Sequence, residues 1–457
     1  MSSFTVFEIG KSALLAARRT MDVTSHNVAN AATPGYSRQS VILEPLIQRE
    51  AQISGVGVRA AQIVRARDAF LDAVLRSETG KKSAFSVEKD VMDNIQVIVA
   101  EPSDNSIRFT VEAFWASWQG LSIDPTSVSA RASVTERGRS VVDMFGHMDG
   151  QLESLAVDIE ANIAAIVSRV NTLADRAVSL NGEIARAIAR QEPVGDLLDR
   201  RDLILDEISE ITGATVSRLD DRTMYVRVGI GGFPVVDGLN SYKLEVAYPS
   251  GVTEFRWVDS AGNPQAIDTM RGRLGGLKTA RDELVGSFKQ DLEDLFSDIV
   301  DAVNTQHALG YAPDGTQTGD FFAVGNPGDY LGSTEVAAGI VADPSTIAAS
   351  SSATDPLDGG NALAIADALE SDCVDQWTAM IGSLGAVGQK IQSGFETEEL
   401  LVKELQNRRD SVSGVSIDEE MANLVREQHA FNAASRLITT ADEMMDTIIN
   451  RMGLTGR

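Results

Sequence analysis

The feature that most constrains this chain is a line of apolar residues at heptad spacing with no proline to break it. Val141, Phe145, Met148, Leu152, Leu155, Ile159, Ile163, Ile166, Val170, Leu173, Ala177, Leu180 and Ile184 follow at alternating intervals of four and three. Two consecutive fours, from Leu155 to Ile163, form one stutter, where a supercoil unwinds locally. No proline stands between Pro125 and Pro193. The spacing predicts a helix over residues 139–190, about 78 Å long at 1.5 Å per residue. We take Phe145, Leu152, Ile159, Ile166, Leu173 and Leu180 as its seam. Rods and bundles use helices of this length; compact enzymes rarely do.

Further helical periodicity covers residues 274–307, 376–412 and 417–452. In the last, Leu424, Phe431, Ile438, Met445 and Met452 repeat every seven residues, with Ile448 beside them, and Ser416 with Glu419 reads as a capping box. Ile9, Ala13, Ala16 and Val23 mark an N-terminal amphipathic helix of about five turns, marginal alone in water. Both terminal helices therefore need a partner. Strand patterns occur at residues 41–43, 51–53 and 56–63, a hairpin, and in 214–270, a small antiparallel domain. The expected fold is mainly α: an elongated, discontinuous coiled-coil or helical bundle built from N- and C-terminal parts, with the small β domain inserted. Its expected parts are terminal helices (1–40 plus 413–457), a rod-like body with the hairpin (41–210 plus 272–412) and the β domain (211–271).

Composition narrows the function. The formal charge is −26 over 457 residues, which disfavours nucleic acid or an anionic membrane as main partner. No apolar run reaches membrane-spanning length, and no cleavable leader precedes Lys11, Arg18 and Arg19, so a soluble protein is expected, either cytoplasmic or exported without cleavage. Cys373 is alone and the four histidines lie at no metal-ligand spacing, so we expect no disulfide, metal or cofactor. Gly229-Ile230-Gly231-Gly232 precedes strand rather than helix and reads as a turn, not a phosphate loop. Asp314, Gly315 and Asp320 lack the remaining ligands of a calcium loop. His26 and His307 read as solvated or hydrogen-bonded structural histidines. The clusters 396–399 and 418–420 read as solvated helix caps. No catalytic residue is assigned.

One short segment stands apart. Asn27 and Asn30 close the first helix, with Asn30 expected as a left-handed cap, and Thr33-Pro34-Gly35-Tyr36 fits a type II turn. On physical grounds alone it is a helix-to-strand elbow.

Residues 22–39 and the stretches 414–424 and 439–444 resemble the two terminal signatures of the flagellar rod, hook and hook-associated protein superfamily. Residues 197–203, 304–322 and 360–364 look like its hook-associated branch, found at the hook–filament junction. The chain is shorter than long members of that branch, so a large outer insert is not expected. The resemblance implies a secreted, non-catalytic structural protein of the bacterial flagellum, exported unfolded by the type III apparatus. It implies terminal helices that are disordered in the monomer and form an inner tube in a helical polymer. The implied partners are further copies of the chain, the hook protein, a second junction protein on the filament side and a type III export chaperone. Alternatives left open are a hook or distal-rod subunit, a wall hydrolase fused to axial termini, and a secreted coiled-coil adhesin.

Overall fold

The computed structural model describes residues 3–46, 57–99, 106–220, 224–326 and 329–447, with side chains described for all of these except 3, 4 and 370–373. The fold is mainly α. Helix α1 (Ser3–Asn30) leads into a hairpin of β1 (Gln39–Leu46) and β2 (Gly57–Arg65), followed by α2 (Ala69–Val99), α3 (Ile107–Ile123), α4 (Val128–Ala189) and α5 (Gly195–Thr212). Seven short strands come next: β3 (Thr215–Arg218), β4 (Val226–Ile230), β5 (Phe233–Asp237), β6 (Asn240–Ser241), β7 (Lys243–Ala247), β8 (Glu254–Val258) and β9 (Pro264–Ala266). They form two antiparallel sheets, β3-β4-β5-β6 and β7-β8-β9. The chain returns through α6 (Gly272–Thr279), a π-helical turn (Ala280–Val285) and α7 (Gly286–His307). After β10 (Phe322–Val324), α8 (Tyr330–Ser333), β11 (Thr334–Val336) and α9 (Ala338–Ala342), two long helices close it: α10 (Gly360–Ser413) and α11 (Ile417–Asp446). Among the described residues no helix is long and apolar enough to cross a membrane.

Helix α4 is the spine. It starts earlier than the periodicity predicts, at a Ser127 cap whose hydroxyl accepts from Ala130 N, and runs 62 residues. Phe145, Leu152, Ile159 and Leu173 are buried on it. Ile166 and Leu180 are only half-buried, because past the stutter the inward line moves one residue on, to Val167, Ala174 and Asn181. An untwisted helix drifts about 20° per heptad, and the stutter redirects the seam. No single partner helix covers it. Phe145 meets Phe296 of α7 at 4.8 Å between ring centroids, whereas Asn171 bonds both backbone groups of Leu244 on β7.

Several elements differ from the sequence expectation. Helices α2 and α3 carry no assignment there. Helix α10 begins at Gly360, sixteen residues before the expected 376. Residues 274–307 contain a π-helical turn. The strand expected at 51–53 and the end of the last helix, including Ile448 and Met452, lie outside the described residues. Gly231 and Gly232, at φ 54° and 92°, turn β4 into β5, the hairpin read from the sequence.

His307 is fully buried, with Nδ1 donating to Gly319 O at 2.6 Å and Nε2 accepting from Ala348 N at 3.0 Å. Asn304 grips both backbone groups of Phe322 at 2.8 Å, and Asn361 donates to Ala348 O. The 304–322 and 360–364 landmarks thus tie α7, α10 and the intervening loops into one core.

Candidate assembly site

The two ends of the chain meet. α1 packs along α11, and Gly10 lets them approach: a β-carbon there would stand 2.8 Å from Ile438 Cγ1. On α11 the inward line runs through Leu424 and then, one heptad on, through Phe431, Ala434, Ile438, Ala441 and Met445 at intervals that alternate between three and four, the larger side chains half-buried and both alanines buried. A second set faces outward: Met421, Val425, Leu437 and Met444, with Leu15 on α1, are 38–54% exposed. Sequence reasoning missed this set, since it lies off the heptad line.

The base of the pair is the elbow. Residues 33–36 form a β-turn, Tyr36 N donating to Thr33 O at 3.2 Å, with Gly35 at φ 75° as a type II turn requires. A β-carbon on Gly35 would come within 2.5 Å of Leu203 Cδ2. Asn30 takes no left-handed conformation; it is the last helical residue, and its Nδ2 donates back to His26 O at 3.0 Å. That bond folds the side chain back over the last helical turn, a second donor to a carbonyl that the Asn30 N–H of the helix already meets.

Asn27, 1% exposed, uses its full bonding capacity. Its Nδ2 donates to Gln39 O and to Glu420 Oε2, both at 2.9 Å. Its Oδ1 accepts from Tyr36 Oη at 2.8 Å and from Gln39 N at 3.0 Å. One amide therefore joins α1, the turn, β1 and α11. Burial, with the nearby Asp196, Asp199 and Glu420, pushes the Tyr36 pKa up, so its hydroxyl stays a donor.

Glu420 corrects an expectation. Of the three acids opening α11, Asp418 and Glu419 are exposed, but the Glu420 side chain is 2% exposed and receives Arg38 Nη2 at 2.8 Å. The Glu419 carboxylate takes the other arm of Arg38 at 3.1 Å, while its backbone N–H donates to the Ser416 hydroxyl. An acid beside a helix N-terminus is favoured anyway, so the sequence alone does not distinguish a solvated cap from a buried anchor.

Helix α5 supplies the floor. Asp199 accepts from Ser37 N and Ser37 Oγ, at 3.1 and 2.8 Å, and from Arg65 Nη1 at 2.7 Å. Arg65 also reaches Asp202 at 2.8 Å, and Arg67 joins Ser37 to Asp72. His26 meets Asp196 at 3.1 Å, which also accepts from Gln39 Nε2. The residues missed as a site, namely Ser37, Arg38, Gln39, Arg65, Asp199, Asp202 and Glu420, are polar groups whose roles exist only after three distant segments converge. The result is a rigid ionic socket that orients the helix pair against the body.

Three stretches of the chain match known families. Residues 92–322 match the family described as flagellar hook-associated protein FlgK helical domain. Residues 7–36 match flagella basal body rod protein, and 407–452 match the flagellar basal body rod FlgEFG protein C-terminal family. The chain is similar to flagellar hook-associated protein 1 of Bacillus subtilis (strain 168), 29% identical over 511 residues and covering all of both chains. It is 25% identical over 548 residues to that of Salmonella typhimurium, covering 96% of this chain and 98% of the relative. That alignment is longer than the present chain, so the Salmonella relative carries inserted segments. In fold the chain resembles the flagellar hook junction protein FlgK of Burkholderia pseudomallei (TM-score 0.51, 23% identity), a match over 55% of this chain and 47% of that one.

Proposed function

The chain belongs to the flagellar hook-associated protein FlgK family, and from that premise we propose how it works as a structural adaptor. It is a component of the bacterial flagellum at the hook–filament junction and assembles there with other flagellar proteins. In our reading it performs no catalysis. Its neighbours are copies of itself, the hook protein on one side and a second junction protein on the other, with a type III export chaperone before assembly. The long helical body disfavours a hook or distal-rod subunit, whose middle is strand-rich.

The observation that carries this reading is the helix pair. α1 and α11 cover one another's inner line but leave Leu15, Met421, Val425, Leu437 and Met444 in water. Burying a side chain of this size contributes about 1.5–3 kcal/mol when complete, so neighbouring copies that cover the row supply what the monomer lacks. We read the pair as marginally held in the free chain and ordered fully on polymerisation, with the elbow setting its angle and the β domain facing outward.

Removing residues 418–457 tests the reading. The expected product is a folded, soluble body that neither polymerises nor attaches filaments; normal swimming by cells carrying this truncation would refute it.

A further inference from the structure

A cleft of about 1020 Å³ opens beside the elbow, between β2, α2, α5 and the β3–β4 ribbon. Although the chain as a whole is strongly acidic, Arg19, Arg65, Arg67, Arg76, Arg201 and Arg218 line this cleft, with Asp72, Glu192 and Asp202 in its lining and Asp199 and Asp206 paired to Arg65 and Arg76 behind it. Arg65, Arg67 and Arg76 are matched by acids of α2 and α5. Arg201 is not. It is 4% exposed, and no ion pair joins it to a carboxylate among the described residues. Its Nη1 donates to two neutral acceptors, Asn181 Oδ1 at 3.0 Å and Met224 O at 2.6 Å, and its Nε is buried without a partner. Burial, reinforced by Arg65, Arg218 and Arg76, lowers its pKa to about 10 against the pull of Asp202. One N–H of this buried guanidinium is thus left without an acceptor.

The same chain carries a matching surface. On the exposed face of α7, Asp291, Asp294, Asp298 and Asp301 stand at intervals of three, four and three. They form a row about 15 Å long at the helical rise. Their recorded partners are neutral: Gln290 for Asp294, Gln376 for Asp298 and Tyr330 for Asp301. Like charges at these spacings repel, so the row is stabilised by a cationic partner. Among the described residues α7 packs chiefly on α10, α4, α8, β10 and the π-helical turn.

We infer that the arginine cleft of one subunit receives the acidic face of α7 from a second copy of the chain, Arg201 taking one of its carboxylates. The contact is head-to-tail, the kind that propagates a polymer rather than closing a dimer. The inference rests on the polymer reading above and adds a lateral contact outside the terminal helices. The cleft is also far larger than a single inorganic anion needs.

The test uses the full-length chain with a photo-reactive amino acid in place of exposed Gln290, under assembling conditions. Cross-links to residues 57–76, 198–205 or 216–226 of another copy are expected, with yield reduced about tenfold by Arg201→Met. Asp294→Lys with Asp298→Lys, on the surface of α7, should give the same loss without touching the cleft. Cross-links confined elsewhere, or a yield indifferent to both sets of changes, overturn the inference. So does an absent cross-link combined with a melting temperature that inorganic phosphate raises in the parent but not in Arg201→Met, which marks a small-anion site. If cross-linking fails while the 418–457 truncation still abolishes assembly, the cleft inference falls and the junction reading stands.

Discussion

Gly35 combines two constraints that a substitution meets separately. Its φ of 75° strains any side chain, and a β-carbon would also strike Leu203. Gly35→Ala should destabilise the elbow by about 1–3 kcal/mol. The added variant Leu203→Ala should relieve the collision but not the backbone strain. Proteolysis rates at residues 30–40 of the single and double variants measure the two parts; full rescue would assign the whole cost to the collision. Glu88, on α2, offers a pH test. Burial, and then the nearby Glu283, raises its pKa from 4.5 to about 7, against the pull of Lys390. Because the folded carboxyl holds its proton more tightly than the unfolded one, its contribution is fully present below about 4.5 and is lost as the pH rises through about 7. Glu88→Gln should therefore raise stability at pH 8 by about 1 kcal/mol, less than the full shift because the group is partly solvated, and change little at pH 4. Melting curves at the two pH values decide it; an equal gain at both would mean that the charge is not the cause.

At the scale of elements, helix length was legible and helix partnership was not. α4 announces itself because its apolar line persists for many turns. α2 stayed hidden because its buried line runs from Leu75 to Val87 through Gly80, which packs close to Ser209 O and contributes no apolar side chain to the pattern. The elbow was visible as a turn but not as a socket, since Asn27 and Glu420 stand 393 residues apart and neither reveals the other. The α1–α11 contact depends on small residues in the same way. Gly10→Val should wedge the helices apart at Ile438, raising amide exchange along both while the melting of the body stays put. A matching fall in the body's melting temperature would show that pair and body unfold as one unit.

For the whole molecule, the proposed role of the outward row on the helix pair predicts that stability and assembly come apart. Met421→Ser with Val425→Ser alters exposed positions, so the melting of the monomer should move by no more than about 0.5 kcal/mol. Sedimentation should nevertheless show polymer lost, and cells should fail to attach filaments. A large drop in monomer stability would mean that those side chains are already covered within one chain.

The socket at the elbow also sets an order of events. Its walls come from near residue 30, near residue 200 and near residue 420, so a chain delivered head first has no complete socket until almost its whole length has emerged. Closing a loop that long is slow compared with forming local helices. In a chain delivered that way the leading helix travels without its mate, and the socket closes only after the tail has followed it out.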